Sequence, residues 1–337
     1  MSNGTWWIGG IFLLALGIAP ASAAEKTEAN MAGTGWIDFA GYKDCVKLEN
    51  DTTRVILGPH AGGRVLEYAW KGENALHLDP AQDGWTYDPG KKADIDLYGG
   101  RCDIGPEAVI PRHPALWFGP WTAETIGPYA ARMTSAEDEA TGVRLVREFR
   151  LDPEGSRLAF TQTIRNVSSE EKPWYHWGRT CAVGNGLVFV PLTSFSRFPR
   201  KYIRYDRGGV NFRPKDPAVR ERDGFLEVLS APERPKLGMD SYAGWFAYLM
   251  RNNVLFVKRF PTWPDRMYGD LAAITVCIYY YKDIFCELEP LGPKERILPG
   301  ESVSFTEEWQ LLPFAFPASG EVVDLGAVEA LVEQETK

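Results

Sequence analysis

Short runs in which apolar and polar residues alternate dominate the chain between residues 42 and 315. Val143–Leu151 and Arg157–Asn166 are the clearest examples, and turn-forming glycine, proline, asparagine or aspartate follows most such runs. A period of two predicts strands with one buried face, whereas the 3.6-residue period of helices is nearly absent. The pattern therefore predicts an all-β protein built from two large packed antiparallel sheets.

The same pattern predicts further strands throughout this region. They are Val46–Asn50, Thr53–Leu57, Arg64–Trp70, Ala75–Leu78, Tyr129–Ser135, Lys236–Met250, Asn253–Phe260, Ala272–Tyr281, Ile284–Glu289 and Val303–Leu311. Two stretches do not fit it. Residues 98–121 are predicted to be an ordered irregular loop because they are rich in aromatics, glycine and proline, and residues 191–224 are predicted to be a basic excursion from the sheet.

The sequence of 337 residues divides into four predicted segments. Residues 1–23 combine the apolar run Ile8–Ile18 with Ala21-Ser22-Ala23, which is typical of a cleaved export signal and predicts a periplasmic or secreted protein. Residues 24–41 are predicted to be a flexible lead-in, and residues 42–315 a single β domain. Residues 316–337 form a tail in which Val322–Glu335 predicts one short helix.

The charge and the cysteine content limit the classes of partner, metal and cofactor that the protein is expected to bind. The formal charge of −8 argues against nucleic acids and anionic membrane surfaces as partners. The five cysteines include no Cys-x-x-Cys pair, and no metal-binding or phosphate-binding motif occurs, so no metal and no cofactor is expected. The sequence leaves open whether Cys277 pairs with Cys286.

The stretch Ile284–Leu312 contains the most informative carboxylates. Glu287 and Glu289 are separated by one residue in a predicted strand, so they are expected to point to the same face. Two carboxylates on one face belong either to a solvated surface or to a site where a ligand meets them.

Three parts of the chain together resemble the galactose mutarotase (aldose 1-epimerase) superfamily. Val46–Val65 resembles its first hairpin with a Gly-Gly turn. Leu158–Asn166 followed by Pro173–Trp177 resembles a strand that leads to a histidine-bearing segment. Cys286–Pro290 followed by Leu298–Ser302 resembles the family's Glu-Pro strand end and its Pro-Gly-Glu hairpin. The resemblance covers about residues 42–315 and implies the family's β-supersandwich fold.

The resemblance also implies a site. Glu289 matches the family's general base and His176 its general acid, and His113 corresponds by chain order to the other family histidine. Ring opening of a sugar hemiacetal needs such a base and such an acid. This chain departs from the family because Pro-Trp-Tyr-His-Trp-Gly stands where Asn-His-x-Tyr-Phe-Asn-Leu is expected.

Other residues are candidates for binding the sugar. Aromatic rings cover the apolar faces of sugars, and arginine forks bind hydroxyls or the carboxylate of an acidic sugar. Glu287 is a second candidate base. Glu107 is the candidate for the second carboxylate that glycosidase chemistry would need. The binding candidates are Arg101, Glu107, Trp117, Trp121, Trp174, Trp177, Arg179 and Glu287.

Three functions remain open from the sequence. The first is aldose 1-epimerase-like acid/base chemistry on a mono- or oligosaccharide, acidic sugars included. The second is glycan binding without catalysis, which the missing family segment favours. The third is a polysaccharide lyase or a glycosidase, since the fold alone does not determine the reaction.

Overall fold

The computed structural model describes residues 31–335, so the predicted export signal and residues 24–30 lie outside the described residues. Strands are the dominant secondary structure. In chain order they are β1 (Thr34–Phe39), β2 (Tyr42–Glu49), β3 (Thr53–Gly58), β4 (Arg64–Trp70), β5 (Glu73–Asn74), β6 (Gly100–Gly105), β7 (Thr122–Gly127), β8 (Ala130–Thr134), β9 (Val143–Leu151), β10 (Leu158–Asn166), β11 (Tyr175–Val183), β12 (Leu187–Pro191), β13 (Ile203–Asp206), β14 (Gly209–Asn211), β15 (Val219–Arg222), β16 (Phe225–Val228), β17 (Lys236–Met239), β18 (Trp245–Met250), β19 (Val254–Arg259), β20 (Val276–Tyr281), β21 (Phe285–Pro290) and β22 (Ser302–Pro313). Two α-helices, α1 (Pro114–Phe118) and α2 (Leu325–Gln334), and two 3₁₀ turns, Pro80–Gln82 and Leu271–Ala273, complete the fold.

The strands form two antiparallel sheets, as predicted. Sheet one has 12 strands in the order β1-β2-β3-β4-β6-β11-β21-β20-β17-β13-β14, with β5 beside β4. Sheet two has 10 strands in the order β15-β16-β12-β18-β19-β22-β10-β9-β8-β7. The central strands of sheet one, β6, β11, β21, β20 and β17, become important below because they carry the candidate site.

The main core lies between the two sheets, where alternate side chains of each strand meet. β9 and β10 show the alternation directly, because their buried and partly exposed positions follow each other almost without exception. The outer face of sheet two is also apolar, and α2 covers it with Leu325, Val328 and Val332. This helix falls within the tail for which the sequence predicts one, and the Asp324 side chain caps its first turn.

Two buried cations of sheet two cross the core to sheet one. The Lys258 ammonium donates to Thr180 Oγ1 and to the Leu288 carbonyl, both at 2.9 Å, and lies 2.7 Å from Glu307 Oε2. The three N–H donors of Lys258 thus have three acceptors. Arg147 donates to the carbonyls of Gly62, Gly63 and Cys102. Both cations therefore hold backbone or side-chain atoms of strands β6, β11 and β21 from behind.

The structure corrects three sequence-based assignments. Residues 34–39, expected within a flexible lead-in, form edge strand β1. Gly100–Gly105 is a central strand, although residues 98–121 were expected to be irregular throughout. The basic stretch 191–224 contains three short strands that extend the edges of both sheets. Short strands flanked by glycine or charged residues carry too little alternation to be recognised.

All five cysteines are buried and free. Cys277 lies directly opposite Glu289, and Cys286 directly opposite Tyr280. The two sulfur-bearing residues are therefore offset along adjacent strands, and their thiols are not paired. Within residues 31–335, none of the helices has the length and apolarity needed to cross a membrane.

We expect Lys258→Met to destabilise the protein by about 3–5 kcal/mol, because Glu307 would remain buried without its counter-charge. The double substitution Lys258→Met/Glu307→Leu should cost less than Lys258→Met alone. Urea unfolding measures both, and Lys43→Met is the matched control because that lysine is exposed. A loss below about 1 kcal/mol in Lys258→Met would contradict the structural role of the ammonium.

Candidate active site

The outer face of sheet one carries the candidate site, opposite the face that packs in the core. Along β11, Trp177, Arg179 and Cys181 line cavities on this outer face, while His176 and Thr180 point into the core. On β21, Glu287 and Glu289 both line the outer face. The structure thus confirms that the two glutamates share a face.

Two cavities open side by side on this face. The glutamate cavity, of about 540 Å³, is lined by Glu287 and Glu289 together with Arg101, Cys181, Lys236 and an aromatic wall. The histidine cavity, of about 340 Å³, is lined by His113, Asp103, Trp177 and the loop that precedes α1. Both cavities share Asp96, Glu107, Trp117 and Arg179. The two cavities therefore adjoin, and together they are called the groove.

Ion pairs organise the charged side chains of the groove. Lys236 Nζ lies 2.6 Å from Glu107 Oε2, and Arg179 Nη2 lies 3.7 Å from Glu287 Oε2. These pairs bring residues from β17, β11, β21 and the loop after β6 together. Each cation is held near a carboxylate and also lines the glutamate cavity, where it can meet a polar ligand.

Glu289 is the most buried of the acidic residues that line the groove, with 1% of its surface exposed. Its Oε2 accepts a hydrogen bond of 2.5 Å from Trp177 Nε1. Burial, and then the negative charge of Glu287, raise the pKa of Glu289 to about 8, although Arg179 and Lys236 act in the opposite direction. A carboxyl group with this pKa exchanges its proton near neutral pH, as a general base or acid must.

His113 is held in its charged form at the other end of the groove. Its Nε2 lies 3.0 Å from Asp103 Oδ1 and its Nδ1 lies 2.7 Å from the Pro111 carbonyl. Both neighbours are acceptors, so both ring nitrogens donate. Burial lowers the pKa of His113, but the Asp103 carboxylate more than offsets this and raises it to about 9. The imidazolium is therefore a proton donor.

Aromatic rings form the remaining walls. Tyr98, Tyr279, Tyr281 and Phe285 line the glutamate cavity, and Trp117 lines both cavities. The guanidinium of Arg101 stacks 3.0 Å from the centre of the Trp117 ring. Flat apolar rings beside charged hydrogen-bonding groups are what a sugar needs, because a sugar presents C–H faces and a rim of hydroxyls.

His176 does not belong to this site, so its assignment as the acid is wrong. It is 1% exposed and stacks on Phe305 in the core between the sheets. Burial lowers its pKa to about 3, so the ring is neutral. Because successive side chains of a strand point to opposite faces, Trp177 occupies the outer face that His176 was expected to reach.

Two of the predicted aromatic platforms are also core residues. The Trp174 indole donates to the Thr141 carbonyl, and the Trp121 indole donates to the Leu116 carbonyl beneath the Arg147 guanidinium. Each is less than a tenth exposed and neither lines the groove. The other predicted residues do line it: Arg101, Glu107, His113, Trp117, Arg179, Glu287 and Glu289.

Sequence reasoning missed Asp103 and Lys236. Asp103 lies on β6, which was expected to be loop, and its position two residues after Arg101 indicates the same face only once that strand is recognised. Lys236 begins β17 directly opposite Tyr279, so its strand register, not its sequence context, places it in the groove. Among residues 31–335, no group of three or more histidine, cysteine or acidic side chains is arranged to hold a metal ion.

Comparison with known proteins agrees with the fold. No family model and no curated protein sequence matches the chain. Among solved structures, the Slr1438 protein from Synechocystis sp. PCC 6803 is similar over 82% of this chain and 99% of its own, with a TM-score of 0.57 and 17% identity.

Two further solved structures carry family names. A galactose mutarotase related enzyme from Lactobacillus acidophilus covers 83% of this chain and 100% of its own, with a TM-score of 0.55 and 10% identity. A galactose mutarotase-like protein from Lactobacillus casei covers 80% and 100%, with a TM-score of 0.52 and 12% identity. The chain therefore has the galactose mutarotase-like β-sandwich fold, which confirms the fold expected from the sequence.

We expect Glu289→Gln to stabilise the protein increasingly as pH rises from about 4.5 to 8. The folded pKa of Glu289 lies above its unfolded value of 4.5, so the wild-type group favours folding below that value and loses this contribution as the pH approaches 8. The gain at pH 8 should be roughly 1–3 kcal/mol, since a neutral amide avoids ionising a buried group. Thermal unfolding across this range measures it. The exposed Glu329→Gln is the control, and a pH-independent difference would contradict the shifted pKa.

Proposed function

We propose that this protein is a carbohydrate-active enzyme that interconverts the anomers of a sugar by aldose 1-epimerase-like acid/base chemistry. One observation carries the proposal. Two adjoining cavities contain a buried carboxyl group with a raised pKa and a histidine that is held in its protonated form. Glycan binding without catalysis would require neither shifted group.

The proton transfers follow from the two groups. Ionised Glu289 takes the proton of the anomeric hydroxyl while protonated His113 gives a proton to the ring oxygen, and for this step one of its two ring N–H groups exchanges its acceptor in the protein for that oxygen. The C1–O5 bond breaks, the C1–O1 bond becomes a carbonyl, and the open-chain aldehyde forms. Rotation about C1–C2 followed by the reverse transfers closes the ring on the other carbonyl face. Both catalytic groups return to their starting protonation states.

The remaining groove residues support binding in this proposal. Arg179, Lys236 and Glu287 present hydrogen-bonding groups in the glutamate cavity. The aromatic wall of the glutamate cavity covers an apolar face of the ring. The solved mutarotase-like structures support the fold on which this chemistry is proposed, and the residues of this chain support the chemistry itself.

Purified protein should accelerate the mutarotation of at least one of α-D-glucose, α-D-galactose and the hexuronic acids, measured by optical rotation. Glu289→Gln and His113→Gln should each reduce kcat/KM by about 100-fold or more, the range for loss of a general base or acid. His176→Leu is the matched histidine control and should retain activity. No acceleration with any of these sugars would refute the proposed reaction.

The pH dependence provides a separate test. The rate should rise as Glu289 ionises through about pH 8 and fall as His113 loses its proton through about pH 9. A bell-shaped profile of kcat/KM with its maximum between these values is therefore expected. His113→Gln should remove the alkaline limb from the residual activity. A flat profile between pH 6 and 10 would contradict this assignment of base and acid.

A further inference from the structure

Arg101 differs from the other cations of the glutamate cavity. Lys236 and Arg179 lie within 4.0 Å of a carboxylate, but no carboxylate of residues 31–335 lies that close to Arg101. Arg101 is nevertheless 5% exposed. A buried guanidinium without a counter-ion is costly, so its presence beside an open cavity requires a physical reason.

The surroundings of Arg101 add to this cost. Arg179 lies directly opposite it in the register of β6 and β11, on the same face. Like charges directly opposite each other destabilise a sheet. Burial and the neighbouring charges of Arg179 and Arg64 lower the pKa of Arg101 well below its ordinary value. An anion bound at this point would offset both the cost of burying the Arg101 charge and its repulsion from Arg179.

The side chain is also fixed in place. Trp117 stacks on its guanidinium, and Nη1 donates a hydrogen bond of 3.3 Å to the Trp117 carbonyl. A guanidinium has five N–H donors, and this bond uses one of them. The guanidinium is therefore held in a fixed position at the cavity wall, and the described residues leave most of its N–H donors unused. A preorganised group with free donors is suited to binding a ligand.

The charges of the cavity indicate a single negative charge on the ligand. Glu107 compensates Lys236 and Glu287 compensates Arg179, whereas no carboxylate of the described residues, Glu289 included, lies within 4.0 Å of Arg101. Asp96 also lines the cavity, but it is exposed, so water screens its charge. One buried positive charge remains. A carboxylate carries one negative charge and matches a planar fork, whereas a phosphate monoester carries up to two.

We propose that Arg101 binds the carboxylate of the substrate and that the sugar accepted by the groove is a uronic acid. This inference rests on the proposed function, because it names the substrate class of the same site. It adds one contact to that mechanism: the carboxylate at C6 pairs with Arg101, and the aromatic wall covers the ring. No proton or bond of the reaction passes through Arg101, which is a binding residue.

The test compares D-galacturonate with D-galactose, which differ only at C6, and with D-galactose 6-phosphate. Wild-type kcat/KM should favour galacturonate over galactose by about 10- to 100-fold, the gain from a charge-assisted hydrogen-bond pair. Arg101→Gln should bring this ratio close to one, and Arg101→Lys should give an intermediate ratio. Arg150→Gln, which removes an exposed arginine of sheet two, should leave it unchanged.

Titration calorimetry with the same three sugars separates this inference from the proposed reaction. If galacturonate binds tighter than galactose and Arg101→Gln removes the difference, the inference holds even when no sugar turns over. If galactose and galacturonate turn over equally well, the reaction stands and the inference fails. A preference for galactose 6-phosphate, or a galacturonate preference that survives in folded Arg101→Gln and Arg101→Lys, also overturns it. Circular dichroism verifies the folding of each variant.

Discussion

The geometry of the site depends on the contacts that the Lys258 ammonium makes between the two sheets. The ammonium is fully buried, so leaving any of its three N–H groups without an acceptor would be costly. Its acceptors on sheet one are Thr180 and Leu288, which directly follow Arg179 and directly precede Glu289 in their strands. Because side chains alternate along a strand, a contact that fixes one residue on the core side also fixes its neighbour on the groove side.

A second set of core contacts does the same for the histidine end of the groove. Arg147 holds the Cys102 carbonyl, and the Gln162 amide donates to the Asp103 carbonyl at 3.1 Å. Arg101 directly precedes the anchored Cys102, and Asp103 is itself anchored through its carbonyl. Lys258, Arg147 and Gln162 thus place polar contacts behind the strands that carry the site, and such directional contacts help to define strand register.

The same alternation of side chains along a strand explains what could and could not be predicted from the sequence. A period of two identified most long strands and predicted that Glu287 and Glu289 share a face. It could not choose between His176 and Trp177, because one position along a strand exchanges the core face for the groove face. β6 was missed because charged residues serve the groove and glycines flank the strand. Residues selected for binding thus weakened the pattern that identifies a strand.

The groove therefore combines a rigid floor with a wall supplied by a loop. Glu289 lies on a central strand that is hydrogen-bonded on both sides, whereas His113 lies in the connection between β6 and α1. The Asp103 carboxylate links this connection to β6, and it is also the carboxylate that sustains the charge of the imidazolium. One ion pair thus determines both the position and the protonation of His113. Since Arg101 lies two residues away on the same face of β6, the proposed substrate recognition and the proposed proton donation both depend on a single short strand.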